Sequence, residues 1–501
     1  MKKQITFFFA LMLASMLVAN NIDVTNIKLT GQDATSDFTL VKFDISWGNS
    51  WRTSSVPNNW DAAWVFVKYR VTVANGGDGL WKHAWLNNGG HTAPGGSSIN
   101  IGLLNPASSF NATTNPGLGA FIYRDADGSG DFGITGVKLR WNYGVNYKSG
   151  TTPIDDNDVV DIQVFAIEMV YVPGGAFTVG SGGTEYASFT NGSWTSGATL
   201  PLSIASEDIL TVSQSNGNLW YTTPGLPTYV GDRAGPIPAA FPKGYAAFYC
   251  MKYEMSQQEY VDFLNNLTQT QATARKYNKP TPNYRYEITG SAVGSYSTTN
   301  PYVACSFLSW ADVAAYLDWS GLRPMTELEF EKACRGTATA VADEYAWGTT
   351  TIAPNAGITN PGQNNETSSS NGNCSYDNTV QGPMRVGAFA TSSSDRTASG
   401  STYYGIMEMS GNLFERPVTV GTAKGRAFTG THGDGELDAS GNANASTWPG
   451  GADPDGSGFR SSGWVSLSTH LRVSERNYAA YFDPDDRRLN DNGGRGVRMA
   501  P

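Results

Sequence analysis

Short stretches in which apolar and polar residues alternate dominate the first third of the chain. Asn26-Ile27-Lys28-Leu29-Thr30 and Val41-Lys42-Phe43-Asp44-Ile45-Ser46-Trp47 repeat with a period of two, the spacing of a strand with one face on a core. Ala63-Trp64-Val65-Phe66-Val67-Lys68-Tyr69 is a stiff run of β-branched and aromatic residues, again a strand signal. Further strands are predicted at Ala120–Tyr123, Val137–Trp141 and Val159–Ala166, separated by turn clusters such as Asn75–Gly79 and Asn87–Gly90. About seven or eight short strands of this kind predict an antiparallel β-sandwich domain over residues 20–167.

The period changes after residue 168. Met169–Ser181 reads as a strand, a Pro-Gly-Gly turn and a second strand. A helix is predicted from Gln257 to about Thr268, with Ser256 as its N-cap and Glu259 three residues on, the sequence form of a capping box. Its Tyr260, Phe263, Leu264 and Leu267 recur at three- and four-residue spacing, a core-facing stripe. A second helix starts near Ser309-Trp310, and a third follows Thr326, where Glu327 and Glu329 suit the positive end of a helix dipole. The fold class expected is therefore α+β, a β-sandwich followed by an irregular mixed domain over 168–501.

Composition narrows the setting. Residues 1–19 carry Lys2 and Lys3 ahead of an apolar run from Ile5 to Ala19, the pattern of a secretory signal peptide and too short to span a bilayer, which takes about 20 apolar residues. No cysteine lies near the expected cleavage point, so a lipid anchor is not expected, and no later segment has the length of a transmembrane span. The chain is expected to be secreted or at the cell surface. Its net charge is −10 and it has no Lys/Arg run, which argues against nucleic acid as a partner. Cys250, Cys305, Cys334 and Cys374 allow three disulfide pairings or four buried free thiols. Only four histidines, His83, His91, His432 and His470, are present, and none forms a Cys/His cluster of zinc type. Asp125–Asp131 places oxygens at the early positions of a calcium loop, but Gly136 stands where the bidentate acid belongs, and an acidic hairpin tip is the simpler reading. Trp47, Trp51, Trp60, Trp64, Trp81 and Trp85 could form a stacking face for a sugar; packing is favoured, since Trp64 sits in mid-strand.

Six segments then recur in a recognisable order: Met169–Ser181, Lys252-Tyr253-Glu254, Ser309–Trp319, Leu322–Gly336, Gly411-Asn412-Leu413-Phe414-Glu415 and Gly496-Val497-Arg498. In this series the chain resembles the formylglycine-generating enzyme, or sulfatase-modifying factor, family, from Met169 to the C-terminus. The resemblance implies an irregular C-type-lectin-like fold rich in glycine turns. It also implies a copper-binding cysteine pair shortly before the last arginine-containing strand of the oxidising members. Here the corresponding stretch, residues 459–472, contains no cysteine. Two soft thiolates are what Cu(I) requires, and Ser466, Ser468 and His470 do not replace them, so no copper is expected. A structural calcium is implied at Glu408, the carbonyls of Gly411 and Leu413, and Glu415.

The preferred functional reading is a secreted, non-catalytic binding or adhesion protein, with a protein or glycan ligand held by Trp448, Trp464, His470, Tyr478 and Tyr481. Rings of this kind provide contact area at low entropy cost. The alternatives are an oxidase of the formylglycine-generating type with an unrecognised metal site, and a structural subunit that joins identical copies in an envelope or extracellular assembly. Arg472, Arg476 and Arg498 are expected to form internal ion pairs.

Overall fold

In the computed structural model, which describes residues 22–222, 227–391, 394–450, 454–481 and 487–501, the alternating segments become antiparallel strands. The expected signal segment, 1–19, lies outside the described residues. The strands that set the architecture are β1 (Asp23–Asp33), β2 (Phe38–Arg52), β3 (Asp61–Arg70), β4 (Ser97–Leu103), β5 (Gly117–Arg124), β6 (Gly128–Trp141), β7 (Asp161–Val172), β8 (Phe248–Met251), β9 (Arg323–Pro324) and β10 (Gly496–Met499). One sheet runs β1-β2-β6. A larger one runs β9-β10-β8-β7-β3-β5-β4, with the short strand Lys82–His83 added at the end of β3. The chain is thus sheet-rich, with few helices: chiefly α1 (Gln257–Asn265), α2 (Trp310–Trp319) and α3 (Glu327–Arg335).

Each of these helices begins where its local chemistry dictates. Ser256, Ser309 and Thr326 each accept a bond from the N3 backbone, while Glu259, Asp312 and Glu329 reach back to the cap nitrogen. Three complete capping boxes therefore satisfy amide groups that the helical ladder leaves bare.

The β-rich run of β3 is explained by what covers it. Ala63, Val65, Val67 and Tyr69 share a core with Val41, Phe43 and Ile45 of β2 and Val137 and Leu139 of β6. Ala62, Trp64 and Phe66, on the opposite face, share a core with Phe263 of α1 and Tyr316 and Trp319 of α2. The larger sheet is buried on both sides, by the small sheet and by helices, and a strand buried on both faces has no polar alternation to show. Even Lys68 is buried there, its ammonium donating to Trp319 O at 2.8 Å and Gly435 O at 2.7 Å. Burial lowers its pKa to about 8.

Strand β7 runs straight through 167/168, the boundary expected between the two domains. It pairs with β3 from Asp161 to Val170 and with β8 from Met169 to Val172. Beside it, Lys252 reaches Glu168 at 2.9 Å and Asp61 at 3.2 Å, with all three side chains buried. Asp61 also accepts from Trp47 Nε1, Ser50 Oγ and the Trp51 amide, so a charge cluster ties β2 and β3 to the segment after β8. Within the acidic stretch, Asp125–Asp127 form the turn from β5 into β6, that is, from one sheet to the other, while Asp131 lies in β6, and Ser54 Oγ donates to Asp127 at 2.7 Å. The four cysteines are buried and free. Burial pushes the Cys250 thiol up to about 12, which marks an inert core group.

Candidate functional site

Below the C-terminal loops, α3 supplies two fully buried glutamates. Glu327 accepts from Arg476 at 2.7 and 2.9 Å and from Arg460 at 3.2 Å; Glu331 accepts from Arg460 at 3.0 Å. Burial opposes the Glu327 charge, but the two guanidiniums outweigh it and hold the carboxyl below its usual range. Arg476 thus forms the expected ion pair, and Arg472 pairs with Asp343 at 3.0 Å. Arg498 does not. Its guanidinium bonds the carbonyls of Gly321 and Leu103 and lies 4.5 Å from the Trp64 ring, and burial beside Arg323 lowers its pKa to about 9. The closing strand places it over the larger sheet, where carbonyls rather than carboxylates are within reach.

This charged floor anchors four backbone segments to one another. Glu415 and Arg460 exchange backbone bonds at 3.0 and 3.1 Å, the Phe459 amide donates to Tyr478 O at 3.0 Å, and the Ala480 amide to Tyr229 O at 2.9 Å. At Gly458 the chains approach so closely that a Cβ would stand 1.8 Å from Ala479 O. The bonds bring rings together. Tyr229 stacks on Tyr481 at 4.6 Å and meets Tyr478 at 5.9 Å; Phe414 meets Phe459 at 5.1 Å and Tyr478 at 6.2 Å. Phe459 is buried, with the Arg416 guanidinium 4.0 Å from its ring, while Tyr229, Phe414, Tyr478 and Tyr481 are half-buried. His470 lies 6.5 Å from the Tyr478 ring and 4.0 Å from Glu475. The Glu475 carboxylate holds the imidazole pKa above its usual value. Shortly before it in the chain, Val465 and Leu467 are exposed.

Three of the five expected ligand residues, His470, Tyr478 and Tyr481, therefore meet in one patch. The two tryptophans do not join it as exposed groups. Trp464 is 1% exposed and Trp448 7%; their indole nitrogens donate to Asn490 O and Thr431 O at 2.9 and 2.8 Å. A backbone carbonyl for the one polar atom lets so large a ring be buried. Tyr229, Phe414 and Phe459 complete the patch, and no local signal assigned them to it. Phe414 does lie within the Gly411–Glu415 motif, which made it the one that could have been found.

The expected calcium ligands stand in a buried acidic cluster. Glu408, in a left-handed conformation at φ 55°, accepts from the Gly387 amide at 2.7 Å through Oε1. Glu415 accepts from Arg495 Nε at 2.5 Å through Oε1. The second oxygen of each is buried without a hydrogen-bond partner. Glu254 joins them, accepting from Asn412 Nδ2 and the Leu413 amide. Burial pushes the Glu408 carboxyl up to about 7, and burial with the Glu415 and Glu408 charges pushes Glu254 well above its usual range. Of the three carboxylates only Glu415 bonds a guanidinium, and the second oxygens of Glu408 and Glu415 have no donor. That donor set fits a hard cation. No group of three or more His, Cys, Asp or Glu side chains with metal-holding geometry occurs among the described residues, so backbone carbonyls such as those of Gly411 and Leu413 would have to complete such a site.

The family profile of the sulfatase-modifying factor enzyme 1-like domain matches residues 161–461. No curated protein matches the chain. Among the described residues no helix is long and apolar enough to cross a membrane.

Proposed function

The chain belongs to the sulfatase-modifying factor enzyme 1-like family, and from that premise we propose that it is a secreted, non-catalytic binding protein that holds a protein or glycan ligand on the Tyr229–Phe414–Tyr478–Tyr481 patch. The observation that carries this reading is the convergence of four half-buried rings and one imidazole from separate chain segments on one rigid face. Half-exposed tyrosines fixed over a packed base lose little entropy when a ligand covers them. The stretch 459–472, which supplies Phe459 and His470 to the site, has no thiol, and this favours binding over copper-thiolate oxidation. The Glu408 and Glu415 site would hold calcium as a structural ion and so brace the loop that carries Phe414; the hard charge would satisfy the two unpartnered carboxylate oxygens.

The test is a screen of immobilised proteins and glycans, run with the unaltered chain and with Tyr478→Ala. Ligands retained by the first and lost by the second support the patch. Equal retention by both would remove it, and formylglycine formed in a sulfatase peptide by the purified chain would restore the oxidase reading.

A further inference from the structure

Beside buried Trp464, Pro282–Arg285, Glu287, Asn300 and Gln381 line an open hollow of about 400 Å³. Its wall is held in an unusual backbone state. Tyr284 and Arg285 have φ of 45° and 68°, two consecutive left-handed residues that are not glycine, and such geometry survives only where neighbours over-determine it. Here they do. Arg285 O accepts from Gln257 Nε2 at 2.9 Å and from Asn300 Nδ2 at 3.0 Å. The Arg285 guanidinium is clamped on both oxygens of the buried Glu366 and on Pro383 O. The result is that the Tyr284 ring lies against Trp464, 5.4 Å between centroids, at the edge of the hollow.

The lining has one chemical character. Its charges are already matched, Arg285 by Glu366 and Lys279 by Glu287. The amide nitrogens are also committed. Asn283 Nδ2 donates to Glu287 Oε1 at 2.6 Å, Asn300 Nδ2 to Arg285 O, and Gln381 Nε2 to Asn378 Oδ1 at 3.0 Å. Of their side-chain carbonyl oxygens, that of Asn300 packs against Gly362, and those of Asn283 and Gln381 accept from no described residue. The hollow therefore offers oriented, uncharged acceptors and the edge of a tyrosine, and it suits a ligand that brings several donors and no charge. Hydroxyls in fixed relative positions meet that description; a sulfate, carboxylate or ammonium group finds no counter-charge. The volume lies at the lower end of small-ligand sites, which span about 300–1,000 Å³.

We propose that the hollow formed by Asn283, Tyr284, Asn300 and Gln381 is a saccharide subsite that takes one neutral sugar residue of a glycan. It shares no residue with the aromatic patch and does not depend on it. The experiment is isothermal titration of the full chain with neutral gluco-, manno- and galacto-configured oligosaccharides, and with their sulfated counterparts. At least one neutral oligosaccharide is expected to bind, its Kd raised about three- to tenfold by Gln381→Ala, the loss of one neutral hydrogen bond, and unchanged by Tyr478→Ala. Gln381 is exposed, so its replacement leaves the fold intact; Asn283→Ala is the second variant. The subsite is overturned if no neutral oligosaccharide binds at millimolar concentration, if only sulfated ones bind, or if both variants bind as the unaltered chain does. Loss of glycan binding in Tyr478→Ala alone would assign the glycan to the patch and equally overturn it.

Discussion

Replacing Lys252 by Met tests how firmly the two regions of the chain are joined. The ammonium lies 2.9 Å from Glu168, 3.2 Å from Asp61 and 3.3 Å from Asn49 O. Its side chain is 4% exposed and those of the two acids 0%. Burial works against the charge, but Glu168 and Asp61 overcome it, so Lys252 stays protonated over the working range. Met fills much of the same volume and removes the charge. Asp61 keeps three donors, from Trp47, Ser50 and Trp51; Glu168 keeps none. Breaking a buried pair in this way costs about 3–5 kcal/mol. The cost depends on pH with a definite sign. Burial raises the Glu168 carboxyl to about 7 in the folded protein, above its unfolded value, so its contribution to stability is fully present below that unfolded value and is lost as pH rises through about 7. Without the ammonium the carboxyl titrates higher still, so in the variant it is buried as the neutral acid without penalty at pH 5, and at pH 8 only by taking up a proton that the unfolded chain does not hold. The expected result is a loss of about 3–5 kcal/mol at pH 8 and a clearly smaller loss at pH 5, measured by urea unfolding followed by tryptophan fluorescence and far-ultraviolet circular dichroism. The two probes should give coincident curves, since the cluster spans both regions. A loss below about 1 kcal/mol at pH 8, or the same loss at both pH values, would refute the reasoning.

Other consequences can be checked in parallel. Gly458→Ala places a methyl 1.8 Å from Ala479 O and should lower stability by about 1–3 kcal/mol and abolish patch binding, read by chemical unfolding and by the ligand screen. Tyr478→Ala should cost little more than about 1 kcal/mol of stability while weakening the patch ligand at least about tenfold. Calcium should raise the melting temperature of the chelator-treated protein, and Glu408→Gln with Glu415→Gln should remove that increment; an identical melting curve with and without calcium would dismiss the ion. Buried His83 and His432 are held neutral and cost stability as pH falls, whereas Glu185 and Glu259 are likewise pushed to about 7 by burial, so their contribution, read in urea unfolding as the difference between the unaltered chain and Glu259→Gln, should grow as pH falls from about 7.5 towards 5. His470, raised by Glu475, adds in the same direction: its contribution is present below the ordinary imidazole pKa and fades as pH climbs through the raised one.

What could be read from the sequence was local. Ser256, Ser309 and Thr326 start helices through groups within three residues of themselves, and the β2 alternation reflects a single core-facing side. Tyr478, Tyr481 and His470 were legible as ring-rich, polar-tipped positions near the chain end. What escaped depends on partners far along the chain. Trp464 is buried because Asn490 O and Tyr284 meet it, and nothing within a few residues of Trp464 announces either. Tyr229 reaches the patch through a backbone bond from Ala480. β3 signalled a strand, but not that its two faces serve separate cores, because both faces are apolar. The same holds for Arg498, whose carbonyl partners come from Gly321 and Leu103.

Strand β7 also has a mechanical meaning. Force that pulls the two regions of the chain apart must pass through it. β7 is bonded to β3 along ten residue pairs and to β8 along four, and it belongs to both regions at once. Tension along its axis loads these bonds in parallel, as shear, whereas a linker between separate domains would simply straighten, and a lone hairpin would unzip one bond at a time.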